Sequence, residues 1–317
     1  MNKYLITGFS GFVSKHFLEY LEGLQRQISV LGIDIVQPDF ELSRYSRVKC
    51  DFSKMDLLDR EGIEKIILQF QPNYILHLAS FSSVAFSWKN PVKSFQNNTN
   101  IFLNVIDAVH SVNPGIRVLS IGSSEEYGDL AAGNAIFHEE DALNPISPYA
   151  VARVSQEMLS KVYVKGYGLD IVMTRSFNHI GPGQKEPFVI ASFAKRLVEM
   201  KKAGLSSPKL ITGDISLIRD FVDVRDVVRA YDGLLKKGKK GEIYNICGGV
   251  GFSLKELIQQ MASILDMEVL TETDERLIRP NDNKVIIGSN EKIKRDIDWA
   301  PEIPLRQSLE DVIRFSN

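Results

Sequence analysis

Lys3-Tyr4-Leu5-Ile6-Thr7-Gly8-Phe9-Ser10-Gly11-Phe12-Val13-Ser14 is an apolar run, a glycine-bearing turn and the opening of a helical pattern. A short apolar strand that passes through glycines straight into a helix begins a strand–helix–strand unit. Glycines let the backbone turn tightly there and approach a bound group closely. The helix N-terminus that follows favours negative charge. On its own the loop also fits an ordinary glycine turn, so its meaning depends on what flanks it.

The flanks repeat the pattern. Apolar runs at Tyr4-Leu5-Ile6, Ser29–Ile33, Tyr74–Leu78 and Val118–Ile121 alternate with helical patterns at Phe12–Leu24, Met55–Phe70, Val92–Ser111 and Tyr149–Tyr167. A further strand follows at Asp170–Thr174. The strands are continuously apolar, which implies a sheet covered on both faces. Strand–helix alternation implies right-handed parallel crossovers, hence an α/β fold with a doubly wound parallel sheet of the Rossmann type. After Asn178 the segment Gly181-Pro182-Gly183-Gln184 breaks the chain, and the alternation becomes irregular. The expected division is a dinucleotide-binding domain over 1–179 and a smaller C-terminal α/β substrate lobe over 180–317. Late segments such as Glu242–Cys247 are candidates to rejoin the main sheet.

Asp34 ends the second strand, about 20 residues beyond Ser14, where a carboxylate accepts from both ribose hydroxyls of a dinucleotide. That carboxylate repels a 2′-phosphate, and Ile35 and Val36 supply no cation. The expected cofactor is NAD, with NADP possible. Gly8, Ser10, Gly11 and Phe12 would cradle the pyrophosphate. Asp51 and Phe52, read as following the third strand, would flank the adenine. Leu78, Ala79 and Ser80 offer small residues where the backbone passes close to the cofactor.

The composition narrows the function classes. The chain has 317 residues, 44% hydrophobic and 25% charged, so it can bury a large core as an ordinary globular protein. Its net charge of -2 gives no basic field for nucleic acid or an anionic membrane. No apolar run approaches the roughly 18 residues of a membrane span. Two cysteines, Cys50 and Cys247, lie far apart with no metal spacing, which suits a reducing cytoplasm. Lys3–Thr7 already reads as a strand rather than part of a leader.

The chemistry is carried by two segments. Gly122-Ser123-Ser124-Glu125-Glu126-Tyr127-Gly128 leaves one strand, and Ser147-Pro148-Tyr149-Ala150-Val151-Ala152-Arg153 opens the next helix. Ser123 is a candidate to hydrogen-bond a substrate oxygen, and Tyr149 to exchange a proton with a hydroxyl or carbonyl beside a nicotinamide; the resemblance drawn below implies that this oxygen is a sugar's C4 oxygen. A cation one helical turn after Tyr149 favours the phenolate and holds the nicotinamide ribose. Here that cation is Arg153, which keeps the charge but cannot act as a proton relay. It reads as a working substitute, as the mark of a slow or specialised enzyme, or as the mark of a lapsed site that only binds ligands. Glu125 is a further carboxylate beside them, for which the resemblance drawn below, through the 4,6-dehydratases, implies removal of a C5 proton; its alternative is a solvated loop.

These segments, with Thr174-Arg175-Ser176-Phe177-Asn178-His179-Ile180-Gly181-Pro182-Gly183-Gln184, Arg219–Val227 and Arg279-Pro280, resemble the extended short-chain dehydrogenases/reductases that modify nucleotide sugars. The resemblance spans nearly the whole chain. Its wording is nearest the GDP-4-keto-6-deoxy-D-mannose reductase branch, with the GDP-mannose 4,6-dehydratases beside it. It implies reduction at C4 of a GDP-linked sugar, or else 4,6-dehydration or C4 oxidation and epimerisation with retained NAD. It implies Ser123, Tyr149, Arg153 and Glu125 as catalytic, with Asn98 and Phe177 joining the cofactor site. It places Ser124, Asn178, Lys195, Arg196, Arg219, Arg279 and Asp282 around the substrate, the arginines on the diphosphate and Asp282 on the nucleoside ribose. It implies a homodimer through the helices at Val92–Ser111 and Tyr149–Tyr167.

Four positions depart from that pattern. Arg153 replaces lysine, Ser14 replaces glycine, and Ile101-Phe102 add bulk where the family has Gly-Thr. Asn98 also reads as a strut. Arg219–Asp226 reads equally as a structural corner with Asp223 as a helix cap. His77, inside an apolar strand, reads as a core histidine. His138 beside Glu139-Glu140-Asp141 reads as an acidic loop rather than a metal site.

Overall fold

The computed structural model describes residues 1–128, 136–186, 188–205, 208–278 and 281–317. Its elements run β1 (Asn2–Thr7), α1 (Phe12–Gly23), β2 (Ile28–Asp34), β3 (Val48–Lys54), α2 (Arg60–Phe70), β4 (Tyr74–His77), α3 (Val84–Lys89), α4 (Pro91–Val112), β5 (Arg117–Ser123), α5 (Pro148–Tyr167) and β6 (Asp170–Ser176). They continue with β7 (Asn178–Ile180), α6 (Val189–Lys202), β8 (Lys209–Thr212), β9 (Ile218–Asp223), α7 (Val224–Lys237), β10 (Ile243–Ile246), β11 (Gly251–Ser253), α8 (Leu254–Ile264), β12 (Leu270–Thr273), β13 (Val285–Ile286), α9 (Glu291–Ile297) and α10 (Leu305–Ser316).

A seven-stranded parallel sheet has the order β10-β6-β5-β4-β1-β2-β3. The chain winds outward from β1 to β3, then restarts at β4 on the other side of β1. Ligands in such sheets bind at that reversal, beyond the strands' carboxyl ends. The continuous apolar strands are explained by the layers. One face packs Phe17 and Leu21 of α1 with Val227 and Tyr231 of α7. The other packs Ile63 of α2 with Phe102 and Val105 of α4 and Tyr163 of α5.

The irregular second half builds a small sheet in which β9 is flanked by β11, β13 and β7. A separate core of Phe193, Leu197, Leu257, Met261 and Leu309 gathers α6, α8 and α10 around it. Glu242–Cys247 does rejoin the main sheet, as β10 beside β6.

Two boundaries differ from the sequence expectation. The helix expected from Met55 starts at Arg60, because Asp59 caps it by accepting from the Gly62 amide at 3.0 Å, and Asp56 turns the chain before it. A short helix, α3, precedes α4; Ser83 caps it, and Pro91 restarts the chain as α4.

Candidate active site

One cleft of about 1050 Å³ runs from the β1–α1 turn to the second lobe. That is at the upper end of a single-ligand pocket. Of the residues expected in the site, it is lined by Gly8, Gly11, Phe12, Asp34, Leu78, Ala79, Ser80, Ser123, Glu125, Tyr149, Arg153, Phe177, Asn178, Arg196, Arg219 and Asp282.

At the sheet's reversal, the β1–α1 turn and the segment after β4 touch through their backbones. Gly8 has φ +68°, and a Cβ on it would lie 2.7 Å from the Ala79 nitrogen. Only glycine fits both conditions. Gly11 caps α1 without a side chain, and the first turn of α1 carries no acidic residue. Ser14 is buried beneath this turn, and its hydroxyl has no partner. Asp34 is fixed from two sides, its Oδ2 accepting from the Ser10 amide at 3.0 Å and its Oδ1 from the Val36 amide at 3.1 Å. A close-approach turn, an open helix N-terminus, an unused hydroxyl and an aimed carboxylate fit a dinucleotide.

The residues expected to be catalytic meet at the ends of β5 and α5. Ser147 caps α5, its hydroxyl accepting from the Ala150 amide at 3.1 Å, and Pro148 sits in the first turn. Tyr149 thus lies at the helix start, with Arg153 one turn later on the same face. Arg153 Nε donates to the Tyr149 hydroxyl at 3.2 Å. Ser123 closes β5 and caps the short turn Ser124–Glu126, its hydroxyl accepting from the Glu125 amide at 3.3 Å.

Below that turn, Glu126 is fully buried. Its Oε1 accepts from the Ser123 amide at 2.7 Å, while its Oε2 has no partner. Burial, then the nearby Glu157 carboxylate, push its carboxyl up to about 8. Arg175 holds Glu157 with two bonds of 2.9 and 3.0 Å and lies over the Tyr127 ring. Gly122 is required here, because a Cβ would strike Glu126 Oε1 and the Thr174 carbonyl.

The end of the cleft expected to take the substrate is lined by the second half of the chain. Arg219 Nη2 donates to Asp282 Oδ1 at 2.6 Å, so these two expected ligands sit together. Asp223, four residues on, caps α7 through the Arg225 amide and also accepts from the Ser308 hydroxyl at 2.6 Å. The segment is therefore a structural corner with Arg219 on its cleft side. His179 stacks parallel to Phe12, with ring centroids 6.4 Å apart, and burial lowers its pKa.

Several expected residues do not line the cleft. Asp51 and Phe52 lie inside β3, which runs to Lys54; the residues beyond its carboxyl end are Met55, Asp56 and Leu57, and these line the cleft instead. Asn98 braces the loop after β4, accepting from the Phe81 amide at 2.7 Å and donating to its carbonyl at 3.2 Å. Ser10 serves Asp34 and the Val36 carbonyl. Ser124 is buried in the turn behind Ser123. Lys195 is exposed and paired with Glu186 at 2.5 Å, because Arg196 is the residue of α6 turned inward. Arg279 lies outside the described residues.

The bulk at Ile101-Phe102 is absorbed. Ile101 borders the cleft, and Phe102 packs in the core against His77, with ring centroids 5.2 Å apart. His77 is a core histidine, bonded to the Thr7 hydroxyl at 2.9 Å and held down to about 3 by burial and then Arg153. Tyr231 carries no signal in the sequence. It reaches the cleft from α7 and bonds the Ser176 hydroxyl at 2.9 Å, a placement that only the packing of α7 on the sheet creates.

Comparison with known proteins agrees with this geometry. Residues 5–312 match the family model described as GDP-mannose 4,6 dehydratase. The GDP-6-deoxy-D-mannose reductase of Pseudomonas aeruginosa is 33% identical over 97% of this chain and 95% of its own. The dTDP-glucose 4,6-dehydratase of Haemophilus influenzae is 27% identical over 99% and 98%. The solved structure of RMD from Pseudomonas aeruginosa complexed with NADPH superposes with a TM-score of 0.85, at 31% identity, over 100% of this chain and 99% of that one. With its Tyr149–Arg153 pair, its Ser123 and its glycine turn in one cleft, this chain belongs to the GDP-mannose 4,6-dehydratase family of NAD(P)-dependent nucleotide-sugar enzymes, within the extended short-chain dehydrogenases/reductases.

Proposed function

We propose that this protein reduces the C4 ketone of a GDP-linked 4-keto-6-deoxyhexose, GDP-4-keto-6-deoxy-D-mannose in the first instance. The observation that carries the reading is Tyr149, hydrogen-bonded by Arg153, in one cleft with Ser123 and the cradle around Gly8 and Asp34. When bound, the nicotinamide supplies the hydride to C4. Ser123 holds the C4 oxygen by a hydrogen bond. Tyr149 gives that oxygen its phenolic proton as the charge develops, and solvent restores the proton afterwards. Arg153 places a permanent cation against the resulting phenolate.

Gly8, Gly11, Phe12 and Ser14 would hold the pyrophosphate, Asp34 the adenosine ribose, and Asp56 and Leu57 the adenine edge. Asn178, Arg196 and Arg219 would meet the sugar diphosphate, a task suited to fork-shaped charged donors. Asp34 favours NADH over NADPH. Two free cysteines suit a cytoplasmic enzyme. Among the described residues, no helix is long and apolar enough to cross a membrane. A homodimer through α4 and α5 would cover Val151, Met158 and Val162, which form an exposed apolar stripe at helical spacing on α5.

The test is to mix protein, NADH or NADPH and the keto sugar, and follow reduced-nicotinamide absorbance. Consumption of one equivalent per sugar is expected. No consumption by folded protein refutes the reading. A second reading, 4,6-dehydration with retained NAD, is favoured by Glu125, which lines the same cleft. Its signature is a cofactor that copurifies and is regenerated at every turnover.

A further inference from the structure

Arg153 is 4% exposed, and hydrogen bonds fix its guanidinium on every nitrogen. Nε donates to the Tyr149 hydroxyl at 3.2 Å. Nη1 donates to the Ile121 carbonyl at 3.0 Å and to Gln156 Oε1 at 2.6 Å, and Nη2 to the Ser80 hydroxyl at 2.6 Å. Gln156 is itself locked. Its amide donates to the Ser120 hydroxyl at 2.9 Å and the Ile121 carbonyl at 3.1 Å. Ser160 braces both, meeting the Ser120 hydroxyl at 3.3 Å and donating to the Gln156 carbonyl at 2.9 Å. Gln156, Ser120 and Ser160 are all buried, and none of them lines the cleft.

We propose that Gln156 is a positioning residue that makes this an arginine site, rather than a lysine site that happens to carry arginine. The proposal rests on reading Tyr149 and Arg153 as the proton-transfer pair. A guanidinium is planar and offers only donors. Gln156 must therefore turn its oxygen to Arg153, which leaves its amide for Ser120 and Ile121. Holding Nη1 from α5 and β5, and Nη2 from the loop after β4, sets the plane of the fork. That plane directs Nε at the Tyr149 hydroxyl.

A lysine ammonium is a single point with three donors. Gln156 and Ser80 are each served at 2.6 Å by different nitrogens of the fork, so an ammonium would have to reach both from one point and without a fixed plane. Gln156 Oε1, buried and off the cleft, is the acceptor that a weaker or longer bond would leave short of a donor. Gln156 touches no reacting atom; it acts through Arg153.

The experiment is a double-mutant cycle on the full chain with Gln156→Met, which keeps length and packing but removes the oxygen, and Arg153→Lys. Its readouts are kcat and KM with NADH and the keto sugar, NADH affinity by fluorescence titration, and Tm. Gln156→Met is expected to lower kcat by roughly 10- to 100-fold with Arg153 present, the span of a strong pair coupling. The sugar KM should stay within about threefold, as for an interaction realised only in the transition state. In the Arg153→Lys background the same change should cost less than about threefold, since its partner is gone.

Equal losses in both backgrounds would show a merely structural glutamine and overturn the proposal. A gain of turnover in Arg153→Lys would overturn it as well. If the wild type turns over no keto sugar, the functional reading fails, and the cycle is then read in NADH affinity: non-additivity supports the seat, additivity refutes it. Should Gln156→Met not fold, Ser120→Ala removes the glutamine's anchor more gently and is read by the same criterion.

Discussion

Glu126 receives the Ser123 amide on a carboxyl oxygen at 2.7 Å, so a fully buried carboxyl sets the backbone of the residue proposed to hold the sugar oxygen. Its pKa stands at about 8, against 4.5 for an ordinary glutamate. Between those values the folded protein keeps a proton that the unfolded chain has lost. The resulting stabilisation is complete below about pH 4.5 and is lost as pH rises through 8. Glu126→Gln keeps an oxygen for Ser123 and has no proton to lose. Relative to wild type, its Tm is expected to rise by several degrees from pH 6 to pH 9, on the order of 1–3 kcal/mol. Parallel Tm–pH curves for the two proteins contradict this.

His77 predicts the opposite limb. Burial, then Arg153, depress it to about 3 from an ordinary 6.5. The neutral form it supplies is fully stabilising above about pH 6.5 and is lost as pH falls toward 3. His77→Gln is expected to reduce the acid sensitivity of chemical unfolding between pH 6 and 4, at some cost in packing against Phe102. Unchanged acid sensitivity sinks the idea.

Gly8→Ala tests the close approach at the sheet's reversal. The added Cβ meets the Ala79 backbone while the residue is held at φ +68°. A positive φ alone costs roughly 1–2 kcal/mol outside glycine. NADH affinity is expected to fall at least about tenfold as the turn and the segment after β4 separate. Wild-type affinity in a fluorescence titration would show that the turn does not cradle the dinucleotide.

Tyr149→Phe removes the proton and keeps the ring. A kcat loss of about 10²- to 10⁴-fold is expected, the usual span for a positioned acid. NADH binding should survive, which separates chemistry from folding. A variant with more than a tenth of wild-type kcat would assign the proton to another group.

Asp34→Ser combined with Ile35→Arg tests cofactor choice. The wild type is expected to prefer NADH, and the variant NADPH by roughly tenfold or more, because a cation replaces a carboxylate facing the 2′-phosphate. The related Pseudomonas protein was solved with NADPH, so a wild type that already prefers NADPH is the outcome that refutes the Asp34 argument.

The helix-opening turn at Gly8–Gly11, Asp34, Ser123 and Tyr149 are legible in the sequence because each belongs to a local pattern: a strand end, a glycine turn, a capped helix. Other residues are not. The sequence points to Asp51 rather than Asp56 because an apolar count does not show where β3 stops, and the strand runs to Lys54. Lys195 and Arg196 cannot be separated without knowing which side of α6 packs inward. Arg219 and Asp282 are 63 residues apart and meet only when β9 and the segment before β13 come together.

The sequence by itself determined the fold class, and it singled out the glycine turn and Tyr149 as candidates, since strand period, turn chemistry and helix capping are short-range. It also posed Arg153 as a departure, and on sequence alone that arginine fits a working, a slow or a lapsed site. Only the tertiary structure decided what surrounds it. Ser80, Ile121 and Gln156 come from three separate elements, and their hydrogen bonds converge on one planar cation only once the sheet and α5 have packed.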